Sequence, residues 1–558
     1  MAEEALTAPL RPWLASYPPG CRWDAPITTG TIGDLLNRAV ARWGGQPALE
    51  YRGQRVSYTA LGAAVDRLAA GLMRLGVAPG LPVGLLLPNT PWHPVCFLAL
   101  AKLGARVVHL SPLDARRVLH HKLTDSGARI VITTDLPGLL PAALEMLDSG
   151  IVDRVLLGED AAWGGASGEG DPRAPSLSAL DGGAVPAWPQ VSPGDVALLQ
   201  YTGGTTGLPK GAMLTHANLT AAVDIYRHWV DGGALAEGEQ RVMGVLPLFH
   251  IYALTSVLLR HLSCGNEILL RPRFEAEAVL RDIEERRVTV LSGVPTMWIA
   301  LLNQPGSASR DFSSLRACVS GGAPLPFDVG AKVEAMLGQR LHIGWGMTET
   351  APAGTRVPIA AKLRPGIIGV PLPGVDMRIV ALDDPSRALP PGEAGEMAIR
   401  GPNVFAGYLN APAETAAAFR DGWFLTGDIG RMEGDGMFFL MDRRKNMIIS
   451  GGFNVYPAAI EGAIYEHPDV NEVVVIGIPD AYRGQSAKAF VTLRSGAPEM
   501  TLDALKDFLR DRLGRHEMPA ALELRGELPR SPAGKLLASA LVAEEMARSA
   551  TPKESPPA

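Results

Sequence analysis

Cysteine is scarce in this 558-residue sequence: there are four, Cys21, Cys96, Cys264 and Cys318, spread along the chain. None forms a C-x-x-C pair or stands at metal-ligand spacing from a histidine, which argues against a zinc module or a disulfide framework. Few unpaired thiols suit a reducing compartment. A surplus of positive charge is also missing. Lys and Arg total 52 against 58 Asp and Glu, for a net charge of −6, so a dedicated nucleic-acid binder is not expected. Long hydrophobic runs are missing too: the most apolar early stretch, VCFLALAKLGARVVHL (95–110), is interrupted by Lys102 and Arg106 and falls short of a membrane span. The first residues, MAEEALTAPLRPW, place two glutamates where a signal peptide needs basic charge. These absences together lead to the expectation of a cytoplasmic protein.

What is present is a globular composition, 47% hydrophobic and 20% charged, in a chain too long for one core, so two or more domains are expected. Leu61, Val65, Leu68, Leu72 and Leu75 recur at spacings of four and three, predicting an amphipathic helix over 59–75 with Thr59 as N-cap and Gly76 as its stop. PVGLLLP (82–88), ARVVHL (105–110) and ARIVITT (128–134) read as strands, with helical stretches between them, one of them from Trp92 to Leu103. Apolar strands alternating with helices indicate a parallel sheet covered on both faces, an α/β fold. Residues 160–194, rich in Gly, Ala, Pro and Ser, read as a long surface connection, and alternation resumes to about 370. GVDMRIVAL, GEMAIRG and GMFFLMDRR then predict a small antiparallel β unit. EVVVIGI, KAFVTLR and the helix TLDALKDFLRDRL predict a compact α+β unit after DRRKN (442–446), with a disordered tail at ATPKESPPA.

The run YTGGTTGLPKG (201–211) packs four glycines, three threonines and a lysine into eleven positions. Glycines let backbone N–H groups approach an anion, and a helix starting just behind would add its positive end. A strand, a Gly/Thr loop and Lys210 describe a phosphate cradle. It is not a Walker A loop, because Lys210 follows Pro209 and precedes Gly211.

This run resembles the nucleotide loop of the adenylate-forming superfamily, which includes acyl-CoA synthetases, nonribosomal-peptide adenylation domains and firefly-type luciferases. PLFH (247–250), SGGAPL (320–325), GWGMTE (344–349), GWFLTGD (422–428), DRRKNMIISGGFNVYP (442–457) and LPRSPAGK (528–535) match in the family's order along nearly the whole chain. The combination looks most like medium- to long-chain fatty acyl-CoA synthetases. The resemblance implies a large N-terminal domain (1–441) of βα-layered sheets with the small antiparallel unit, a hinge (442–446) and a small mobile α+β C-terminal domain (447–558). The implied reaction has two halves. A carboxylate attacks the α-phosphate of ATP to give acyl-AMP and pyrophosphate, and the thiol of coenzyme A then displaces AMP.

Residue roles follow from the same resemblance. Lys535 bridges the carboxylate and the α-phosphate, Thr348 contacts that phosphate, and Glu349 with Thr202 holds Mg²⁺. Thr202, Gly203, Gly204, Thr205, Thr206, Gly207 and Lys210 hold the β- and γ-phosphates. Gly321, Gly322, Ala323 and Pro324 lie close to the adenine and acyl group; Trp345, followed by Gly346 and Met347, stacks on adenine where relatives more often carry Tyr. Asp428 accepts from the ribose hydroxyls, Arg443 approaches the same sugar, and Lys445 lies at the pivot. His250 resembles an aromatic gate to the pantetheine tunnel, which Gly451, Gly452 and Phe453 flank. Asn446, Ile449, Ala459, Gln485 and Ala538 depart from the family pattern around the hinge and the coenzyme A contacts.

The expected partners are a fatty acid and coenzyme A; the resemblance also admits peripheral contact with the inner membrane surface and a homodimer. A dicarboxylic or aryl acid is the nearest alternative substrate, a carrier protein the alternative acceptor, and a non-catalytic nucleotide-binding relative the third reading. VLSGVPTMWIALL (290–302) is expected to wall the acyl pocket; it is apolar and offers no charged partner to a second carboxylate.

Overall fold

The computed structural model describes residues 11–168, 170–180, 182–183, 187–202, 209–230, 235–444, 446–450, 453–480, 483–514, 517–530 and 536–550. Gly203, Gly204, Thr205, Thr206, Gly207, Lys445, Gly451, Gly452, Lys535 and the tail 551–558 lie outside these residues, as does the side chain of Phe453.

The predicted first helix runs Tyr58–Arg74, its Leu61, Val65, Leu68 and Leu72 buried. Its N-cap is Ser57, not Thr59: the Ser57 hydroxyl accepts from the Ala60 amide, leaving Thr59 inside the first turn. Gly76 follows the helix at φ +91°, a left-handed turn that glycine takes without strain.

A six-stranded sheet is ordered Arg154–Gly158, Ile130–Thr134, Pro82–Leu85, Arg106–His109, Val196–Thr202 (β1) and Lys210–Thr215 (β2). Its pairings are parallel except the last, where β2 runs antiparallel to β1. The helix Trp92–Lys102 is buried nearly all round, which explains its weak amphipathic signal. The connection 160–194 is not wholly irregular: short 3₁₀ turns form at Asp160–Trp163 and Leu177–Ala179.

A second, fourteen-stranded sheet has parallel strands at its heart, among them Arg241–Gly244, Val290–Gly293, Ala317–Ser320 and Leu341–Trp345 (β3). The antiparallel strands expected beyond 370 are present, but they are not a detached unit. Thr355–Arg356 (β4) pairs with β3 and then with Ile367–Pro371, and this joins the parallel strands to Trp423–Met432 (β5) and Phe438–Arg443 (β6). Two residues of β4 are too short to carry any periodic signal in the sequence.

The C-terminal strands Ile448–Ser450, Phe453–Val455, Val470–Asp480, Gly484–Leu493 and Ala521–Leu524 form their own sheet. It packs on the helices Pro457–Tyr465 and Leu502–Leu509 around Ile460, Ile464, Val473, Ala489, Leu505 and Leu509. No helix among the described residues is long and apolar enough to cross a membrane.

Candidate active site

Thr202 and Lys210 face each other across the β1–β2 register, at the two feet of the Gly/Thr loop. No helix starts behind that loop. The chain first makes β2, whose Ala212 and Leu214 are buried while Met213 and Thr215 are half-buried, a period of two. The helix His216–His228 begins only after Thr215, which caps it by accepting from the Asn218 amide at 3.1 Å. A helix N-terminus is therefore not available at the foot of the loop, where Lys210 stands. Lys210 Nζ stands 3.7 Å from Glu414 Oε1 and 5.6 Å from the centroid of the Tyr408 ring.

Glu349 lies in a single 3₁₀ turn, Thr348–Thr350, directly after β3. Its carboxylate is 5% exposed and accepts from the Tyr408 hydroxyl at 2.8 Å. Burial raises its pKa above the usual carboxylate range; the Tyr408 hydrogen bond and the nearby Arg443 oppose that rise. Among the described residues no Lys or Arg pairs with Glu349. A buried carboxylate and the Thr202 hydroxyl are hard oxygen donors, few in number, and fit Mg²⁺ that takes its remaining oxygens from phosphates.

Tyr408 has no place in the sequence-derived site, yet it sits on a strap that ties the site together. Along 403–409, Asn403 Nδ2 donates to the Thr350 carbonyl at 2.7 Å and the Phe405 amide donates to the Glu349 carbonyl at 2.9 Å. The Ala406 and Leu409 amides donate to the Met213 and Gly211 carbonyls, and the Met213 amide donates back to Gly407. The strap thus bonds the Glu349 turn on one side and β2 on the other. The only cue was the aromatic, non-periodic VFAGYL (404–409) between two polar turns.

Beside Glu349, β5 and β6 place Asp428 opposite Arg443. Asp428 is 1% exposed; its Oδ2 accepts from the Trp345 indole N–H at 2.8 Å. Arg443 Nε lies 2.6 Å from Oδ1, an ion pair lying off the angle of a hydrogen bond. Trp345, expected to meet adenine, is thereby fixed by its edge to the expected ribose acceptor. Gly354 lies against its ring: a Cβ there would come within 2.5 Å. Gly346 admits no side chain at all, since a Cβ would fall 1.4 Å from the Pro352 carbonyl oxygen. Met347 and Thr348 are half-buried at the same turn.

Gly321 and Gly322 follow the strand Ala317–Ser320, with Gly322 at φ +78°. A Cβ on Gly321 would meet Tyr252 Cζ at 3.1 Å, and one on Gly322 would meet Val294 at 3.3 Å, so the backbone is held bare here. Ala323 is half-buried and Pro324 exposed. His250 is half-buried; its Nδ1 accepts from the Tyr252 amide at 3.3 Å, which places it beside the Tyr252 that packs on these glycines. Lys210 and Glu349 thus meet through Tyr408, with Thr202 across the register from Lys210; Trp345 and Arg443 meet through Asp428, and Gly321 and His250 meet through Tyr252.

Parallel α/β sheets bring Lys210, the buried Glu349 carboxylate and the Asp428–Arg443 pair together. The profile of the AMP-binding enzyme family matches residues 36–409, and that of the AMP-binding enzyme C-terminal domain matches 459–535. The chain belongs to the AMP-binding enzyme family. It is 36% identical to a long-chain-fatty-acid–CoA ligase of Bacillus subtilis over 96% of this chain and 98% of that one. It is 39% identical to a feruloyl-CoA synthase of an Amycolatopsis species over 88% of this chain and 94% of the relative. The crystal structure of ATP-bound MatB from Rhodopseudomonas palustris superposes with a TM-score of 0.82 at 28% identity, covering 92% of this chain and 99% of that chain.

Proposed function

We propose that the protein is an ATP-dependent acid–thiol ligase that activates a medium- or long-chain fatty acid to acyl-AMP and then to acyl-CoA. The observation that carries the reading is the buried Glu349 carboxylate, which accepts from Tyr408, whose ring lies under Lys210, and stands beside Asp428 and Arg443. The relatives named as long-chain-fatty-acid–CoA ligases support the fatty-acid substrate. In the first half-reaction a carboxylate oxygen attacks the α-phosphorus of ATP, and the bond to the bridging oxygen breaks as pyrophosphate leaves. In the second, the coenzyme A thiol gives up its proton as its sulfur attacks the acyl carbon, and AMP departs with the electron pair of the broken C–O bond.

The protein contributes position and fixed charge. Lys210 and the loop 203–207 hold the β- and γ-phosphates, and Thr348 holds the α-phosphate. Mg²⁺ bound by Glu349 and Thr202 would neutralise phosphate charge. Asp428 keeps lone pairs free for ribose hydroxyls beyond the ones that Trp345 and Arg443 occupy. His250 gates the acyl side, and Gly451, Gly452 and Phe453 flank the pantetheine path. Lys535 supplies positive charge to the adenylation transition state from the C-terminal domain, which turns about Lys445 in the hinge 442–446 between the two half-reactions.

The Lys535→Ala variant tests this split. It should abolish acid-dependent pyrophosphate release yet form thioester from supplied acyl-AMP; equal loss in both steps would sink the assignment. AMP release from ATP, measured across aliphatic and aromatic acids with and without coenzyme A, tests the class. Release that needs one acid class and coenzyme A supports the ligase. Preference for aromatic acids would favour the second reading, an aryl-acid ligase, to which the feruloyl-CoA synthase relative points. Acyl-AMP that accumulates without coenzyme A turnover would indicate a carrier-protein acceptor.

A further inference from the structure

Behind Gly321 and Gly322 lies positive charge that the ligase reading leaves unused. Arg260 follows a π-helical turn, Ala253–Leu259, of the kind that concentrates at functional sites. Arg356 ends β4. Their guanidinium carbons stand 5.6 and 5.8 Å from the centroid of one buried ring, Tyr226. Arg356 is 8% exposed and its Nε has no hydrogen-bond partner; His342, 9% exposed on β3, has an unpartnered Nδ1. Among the described residues no carboxylate pairs with Arg260 or with Arg356. Burial, then the fields of Arg356, Arg260 and Arg340, pushes His342 down to about 3, so its ring stays neutral and able to donate one hydrogen bond.

This patch adjoins the acyl side of the site. Tyr252 Cζ lies 3.1 Å from where a Gly321 Cβ would stand, and the same Tyr252 hydroxyl, raised by burial, is pulled back by Arg356 and Arg260. Arg356 pairs in register with Gly344, one residue before Trp345, and its Nε is 3.8 Å from where a Gly344 Cβ would stand. Arg260 is half-buried and Arg356 buried; the Tyr226 ring offsets part of the cost of burying them but accepts none of their in-plane N–H groups. A methyl end of a fatty chain would seal those donors away from water unpaired, which is costly. A carboxylate would pair with them in fork geometry.

We propose that the acid activated here carries a second carboxylate at its far end, seated on Arg356 and Arg260 with His342 beside them. The medium- or long-chain fatty acid is then an α,ω-diacid, and the two arginines set specificity. The charge comes from elements other than the apolar wall at 290–302. This inference rests on the ligase reading.

The test is acid-dependent pyrophosphate release over pairs of mono- and α,ω-dicarboxylic acids matched in length. The wild-type protein should prefer the diacid by about tenfold or more in kcat/KM, mostly through KM. Arg356→Met and Arg260→Met should lose that preference while monoacid turnover holds or rises, and Arg356→Lys should retain part of it. Equal or better use of monoacids by the wild type would overturn the inference and leave the ligase standing. Release with no acid at all would overturn both. Because the wild type alone answers the first question, a variant that fails to fold does not block the test.

Discussion

The segment from Trp345 to Arg356 buries a negative charge near one end and a positive charge at the other, and the two are compensated differently. Glu349 has a hydroxyl donor in Tyr408 and feels the cation of Arg443. Arg356 has a ring face, a neutral histidine and a second cation around it. Neither has an opposite charge bonded to it among the described residues. Burying such groups costs stability that a packed apolar pair would not. On the proposed reading a cation and phosphates complete the acid side and an anion the basic side, and the less compensated side is the one that a ligand must satisfy more fully.

Removing charge from each end sharpens that contrast. Glu349→Gln keeps the shape and the Tyr408 contact, so kcat should fall by about 10²–10³ while the melting temperature holds or rises. A large loss of stability instead would make Glu349 a structural group. Arg356→Met, the specificity variant above, should likewise hold or raise the melting temperature, and its kinetic loss should be confined to diacids. Tyr408→Phe removes the one side-chain hydrogen bond that the Glu349 carboxylate accepts among the described residues. A cost of about 1 kcal/mol in urea unfolding and roughly a tenfold fall in turnover should follow.

The smallest effect is in the pH dependence of stability. His342 in the folded chain protonates at about 3 against an ordinary 6.5, so its depressed value favours folding fully above 6.5. That contribution is lost progressively as pH falls from 6.5 toward 3, because the unfolded chain takes up the proton first. His342→Leu should therefore flatten the acid limb of thermal stability between pH 7 and 5. His109 and His216, both depressed to about 4 chiefly by burial, keep part of the slope in the variant.

What the sequence made legible was local. The amphipathic spacing of Leu61 to Leu72 is the helix, and the order of strand, loop and lysine at 196–210 survives in β1, its loop and the first residue of β2. The alternation of Ala212 and Leu214 was present in the sequence, but a short apolar run does not distinguish a strand from the start of a helix. The strap at 403–409 was invisible because its role is made of backbone hydrogen bonds to remote partners, which leave no mark on residue type. Arg260 and Arg356 lie far apart in the sequence, and the pairing of β3 with β4 and the turn at 253–259 bring both to Tyr226.

The strap has a mechanical consequence. Its bonds run from the Glu349 turn through 405–409 to β2 and back through Met213, so turn, strap and strand form a closed linkage, with Tyr408 as the crank. In a closed linkage one part cannot be displaced without displacing the others. A pull on Lys210 at one foot of the loop is delivered to the Glu349 carboxylate as a change of position, through the backbone of the strap and the Tyr408 hydroxyl.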